Sequence, residues 1–123
     1  MKYPGAFDQN NQILYIAPEY LDDDVVILHE MIHLHEFVVN STPMYYHDAL
    51  IWGLYANLKH KIKDIDKMIN RHIHLLNEQS IHHRGGVHDL LFLLKSIDLD
   101  IKRGYPFGTV FGYGTIDVFK QFT

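Results

Sequence analysis

Residues His29-Glu30-Met31-Ile32-His33 follow the pattern H-E-x-x-H. On a helix, side chains four positions apart lie on one face, one turn from each other. Two imidazoles so placed can reach a single zinc ion with bonds of about 2.0–2.1 Å. Glu30 is adjacent to the first imidazole in sequence but turned too far round the helix to be a comfortable third ligand. It can instead reach water held at the metal, and in this pattern its role is general base. With ten histidines among 123 residues, chance supplies only about 0.03 such matches. A buried His-Glu-His set without a cation would also leave three polar groups to satisfy in an apolar setting, which is costly. The chemistry implied is hydrolysis by water activated at a divalent ion.

A catalytic zinc needs a third protein ligand and one open coordination position. Glu36 shares the face but lies nearly a turn further along, and one rigid helix does not easily wrap three turns around an ion. His35 points elsewhere. His47 follows His33 by fourteen residues, beyond a chain reversal at residues 40–43, and two antiparallel helices can bring it to the pair. The expected ligands are therefore His29, His33 and His47 around one Zn2+ per chain, with Glu30 as the catalytic acid/base. Asp48 is a candidate for orienting a ligand ring. His88, at the start of a later helix, is a reserve ligand. His60, His72, His74, His82 and His83 read as solvated positions. Tyr45, Tyr46 and the glycine-rich stretch 105–114 are candidates for a transition-state hydrogen-bond donor or a covering loop.

The elements that must position these groups follow from pattern. Residues 12–17 alternate as a strand, the polar run 8–11 is turn chemistry, and a short strand at 5–7 can pair with it as a hairpin. The acids at 22–24 cap a helix over 25–39 that is apolar on most faces and so expected in the middle of the domain. Asn40 is a candidate left-handed stop. Ser41-Thr42-Pro43 reads as the next helix start, a hydroxyl cap followed by proline. Beyond it, apolar residues at 51, 55, 58, 62, 65, 69, 73 and 76 recur in steps of three and four. That spacing predicts one long amphipathic helix, or two nearly collinear ones, and Trp52 and this stripe read as core. Gly85-Gly86 breaks the segment. A further helix over 87–103 ends at Gly104, and a last short helix through Phe122 can be capped by Thr115.

Composition narrows the function classes. The chain has no cysteine, which removes disulfides, thiol catalysis, iron–sulfur clusters and zinc ribbons. Net charge is −4, against a dedicated nucleic-acid binder. The amino-terminal residues have no apolar run of the signal-peptide kind, and no stretch approaches the roughly 18 apolar residues of a membrane span. A cytoplasmic protein is the expectation. The fold class expected is α+β, mainly helical, with a small amino-terminal hairpin packed on the His-Glu-Met-Ile-His helix.

Over residues 5–58 the chain resembles the SprT-like zinc metallopeptidases. The resemblance rests on a strand like Gln12–Ala17 ending near an Ala-Pro, an acidic spacer, an apolar helix carrying His29-Glu30-Met31-Ile32-His33, and a histidine, His47, opening the next helix. It implies a minimal zincin-like domain, His29, His33 and His47 as zinc ligands, Glu30 as acid/base, and a protein or peptide substrate. In that family the third histidine is followed by glycine and, four residues on, an aromatic; here those positions are Asp48 and Ile51. Without cysteine or basic segments, the chain keeps a peptidase core, residues 5–58, with a helical extension, 59–123, in a single domain. Two alternatives differ in circuit. One is a repressor-cleaving regulator of the kind mobile elements encode, with Glu78 as third ligand. The other is a non-catalytic helical module that pairs with a partner, or with itself as a homodimer, through the stripe at 50–76.

Overall fold

The computed structural model describes residues 4–8, 10–79, 88–113 and 119–123. Its order is β1 (Gly5–Asp8), β2 (Ile13–Ile16), α1 (Asp24–Asn40), α2 (Met44–Lys59), α3 (Ile65–Gln79) and α4 (Leu90–Arg103), with single 3-10 turns at Pro18–Tyr20 and Lys120–Phe122. The class is α+β, as the patterns predict.

β1 and β2 pair antiparallel with Gly5 opposite Ile16 and Asp8 opposite Ile13. The Asp8 carboxylate organises the turn, accepting from the Asn10 and Asn11 backbone and from the Asn11 side-chain amide. Gln12 completes the reversal at φ +55°, a conformation that only a tight connection makes worthwhile for a non-glycine residue. Strand alternation turns Gly5 and Phe7 towards α1, where Phe7 meets Phe37 edge-on at 5.7 Å between centroids. The hairpin thus lies along the helix that carries the motif.

Asp23 caps α1 by accepting from the Val25 and Val26 amides, so the acidic run does what its chemistry allows. The other end differs from expectation. Asn40 stays helical, and the last carbonyls are taken by hydroxyls, Ser41 to Val38 at 2.6 Å and Thr42 to Val39 at 2.5 Å. α2 then starts at Met44 with Pro43 in the cap position and no side-chain cap.

Of the two expectations for this segment, one long helix or two successive ones, the structure has two helices. Lys61 and Ile62 both donate to the Leu58 carbonyl, which ends α2, and α3 begins afresh at Ile65. The buried stripe runs Leu58, Ile62, Ile65, Met68 and His72, while Ile73 is half exposed. That stripe packs inside the chain's own core and is not left over for a partner.

The central helix is α4, not α1. Leu91, Phe92, Leu93, Leu94 and Ile97 are all fully buried, each worth about 1.5–3 kcal/mol relative to exposure. Asp89 caps it through the Phe92 amide at 2.9 Å, and Gly104 ends it in the left-handed region at φ +73°. α1, α2 and α3 all pack against it. α1 is consequently two-sided: Val26, His29, Ile32 and Glu36 face inward, while Met31, Leu34 and Val38 are exposed. Trp52 is 70% exposed and lies outside the core. Among the described residues no helix is long and apolar enough to cross a membrane.

Candidate metal centre

α1 places His29 and His33 one turn apart on its inward face, with ring centroids 5.1 Å from each other. The third ring is that of His88, two residues before α4. Its centroid is 5.1 Å from that of His29 and 5.0 Å from that of His33. One ligand nitrogen from each of the three lies within 4.8 Å of the other two. Phe92, one turn into α4, contacts all three rings at 4.6–4.7 Å between centroids. An apolar ring beneath three imidazoles holds their spacing and offers no competing ligand.

A hydrogen bond fixes which nitrogen His29 presents. His29 Nδ1 is 2.7 Å from the Val110 carbonyl oxygen. A carbonyl only accepts, so Nδ1 carries the proton and Nε2 keeps its lone pair. That Nε2 lies 3.2 Å from His88 Nε2. Two nitrogens bound tetrahedrally at about 2.0–2.1 Å stand about 3.3 Å apart, so the observed spacing is one a cation can bridge. Without an ion, a single proton on His88 Nε2 serves the same contact. His72 Nε2, at 2.9 Å, donates to the His88 backbone carbonyl and anchors the residue from the α3 side. Burial pushes His29 down to about 3 and His33 down to about 4. At neutral pH both rings are uncharged, the form that binds metal.

Glu30 projects beside this group with its Oε2 4.0 Å from His29 Nε2. It is almost wholly buried, and burial raises its pKa, opposed by a hydrogen bond from the Tyr113 hydroxyl. The room for it comes from Gly5. A Cβ there would stand 2.8 Å from Glu30 Cγ and 2.9 Å from the Tyr15 carbonyl oxygen, so any other residue at position 5 would displace the carboxylate. Tyr113 packs over His29 at 4.1 Å between centroids and sits at φ +55°, a backbone state that costs of order 1 kcal/mol or more for a non-glycine residue. Burial, and then the Glu30 contact, raises the Tyr113 pKa.

The loop after α4 is organised by Asp100. Its carboxylate accepts from the Gly108 amide at 2.9 Å and the Val110 amide at 3.1 Å. The Val110 peptide therefore donates to Asp100 on one side and accepts from His29 on the other. Burial pushes Asp100 up to about 7, against the pull of these donors.

The remaining expectations are placed as follows. His47 is not among the converging ligands; its Nδ1 lies 3.7 Å from its neighbour Asp48. The inward face of α1 is filled by the start of α4 and the 104–113 loop. α2 instead meets α1 on another side, where Leu54 faces Leu28 and Ile32 across a cleft. Glu36 is buried beyond the site, beside Asp89, and His35 lines the cleft. Glu78 stands in α3 with its side chain outside the described set, and His82, His83 and Thr115 lie outside the described residues. His72, read as solvated, is buried. Sequence spacing could not select His88, because it is 59 residues from His29 and only tertiary packing relates them. The available signal was its position immediately before the Asp89 cap.

These buried groups predict how the metal-free chain responds to pH. Glu36 is pushed up to about 9, by burial first and then by Asp89. Its unfolded form ionises near 4.5, so between pH 4.5 and 9 the folded state holds a proton the unfolded state has released. Stability therefore falls with rising pH over that window, by about 1.4 kcal/mol per pH unit per group. Below 6.5 the depressed His29 and His33 act with the opposite sign, since the unfolded chain then binds the extra protons. Asp100, raised to about 7, acts with the same sign as Glu36, so from about pH 4.5 to 6.5 two groups of each sign offset one another and the expected melting temperature is nearly level, declining from pH 6.5 to 9. Glu36→Gln should flatten that decline; an unchanged slope in the variant would exclude Glu36 as its source.

No family model, curated protein or solved structure matches this chain.

Proposed function

We propose that this chain is a zinc-dependent metallopeptidase in which His29, His33 and His88 hold the ion and Glu30 is the general base. The observation that carries the reading is the convergence of three imidazoles, two of them neutral, with a buried carboxylate 4.0 Å from one ligand nitrogen. Three imidazoles without thiolate suit a borderline cation, and with H-E-x-x-H they favour zinc. When bound, the zinc supplies Lewis acidity, polarising a carbonyl and lowering the pKa of water towards about 7. Glu30, raised by burial, takes the proton of the attacking water and returns it to the leaving nitrogen. The Tyr113 hydroxyl, now donating to Glu30, is the nearby donor that can turn to the carbonyl oxygen as charge develops there. Relative to the SprT-like pattern, the third imidazole comes from the residue preceding the α4 cap instead of from His47.

Removal and return of the metal test this directly. The purified chain should contain one zinc. A chelator should abolish cleavage of an unfolded protein substrate, and stoichiometric zinc should restore it. A zinc bound by four protein ligands, with no cleavage of any peptide tested, would overturn the proposal.

A further inference from the structure

We infer that the outer face of the α1–α2 hairpin pairs with the same face of a second copy of this chain. Met31 and Val38 of α1 and Met44, Tyr45, Tyr46 and Trp52 of α2 are each at least half exposed. At 100° per residue, Met31 and Val38 lie on the side of α1 opposite His29 and His33, so this surface is separate from the metal centre.

Three observations set the occupant. First, among the exposed residues from position 31 to 57 only Asp48 is charged, although 21% of the chain is charged. Exposed helices normally carry charge on their solvent face. This face is instead depleted in charge and rich in tyrosine, tryptophan and methionine, the composition of interface centres. Second, the six side chains together expose roughly 800 Å² of mainly apolar surface, the area each partner contributes to a stable complex. Third, a two-fold contact sets a surface against itself, so any charge meets its like. A face with one charge tolerates that, whereas a charged partner would find nothing here to read. The stripe at 58–72 cannot serve instead, since it is inside the core.

Sedimentation velocity on the full, zinc-loaded chain tests the inference. The wild type should sediment as a dimer in the micromolar range. Trp52→Lys and Tyr45→Lys should each weaken self-association at least tenfold. Both residues are at the surface, so zinc content and far-UV circular dichroism should stay at wild-type values, which separates lost pairing from lost folding. A wild type that remains monomeric across the micromolar range overturns the inference, even if the face captures some other protein. So does a dimer that both lysine variants leave intact.

Discussion

Glu30→Gln should leave zinc content unchanged and reduce peptide cleavage by about 10³–10⁴-fold, the upper part of what a positioned general base contributes. The amide matches the carboxylate in shape, so the Gly5 recess still accommodates it and the Tyr113 hydroxyl still finds an oxygen to donate to. What disappears is the ability to accept a proton. Because the carboxylate is buried and costs folding energy while ionised, the variant should also melt no lower than the wild type. The check is a paired measurement of metal by mass spectrometry and cleavage under single-turnover conditions. Cleavage surviving within tenfold of wild type would remove Glu30 from the reaction.

His88→Ala and His47→Ala should part sharply. His88 supplies one of three converging nitrogens, so its loss should weaken zinc binding well beyond the roughly 100-fold that outer-sphere changes cause. His47, outside the group, should change affinity by less than about twofold. Competition against a chromophoric chelator reads both. The reverse pattern would restore the ligand set that spacing and resemblance suggested. Retention of zinc by both variants would move the site elsewhere.

The parts of this arrangement legible in sequence are the local ones. The hairpin, the Asp23 cap and the Gly104 stop each depend on residues within a few positions of one another, and each is found where its chemistry predicts. So are His29, Glu30 and His33, because helical spacing alone puts them together. The misreadings share a cause. Trp52 looked like core because it is large and apolar, yet burial is decided by which side of α2 meets α4. α1 looked central because apolar residues surround it, yet α4 is the more continuously buried helix. Hydroxyls at 41 and 42 looked like a start signal for α2 but terminate α1 instead. His47 was favoured by short chain distance, whereas His88, Val110 and Tyr113 reach the site through contacts 59, 81 and 83 residues apart in sequence. No periodicity encodes such contacts.

The separation of His29 from His88 has a thermodynamic corollary for a chain without cysteine. An ion shared between them would close a loop of 59 residues, the length over which a covalent cross-link reduces unfolded-state entropy by an equivalent of about 4 kcal/mol. The cation would then act as a long-range tether, one that opens by dissociation and not by reduction. The folded lifetime would follow the free-zinc level around the protein, linking its persistence to metal supply.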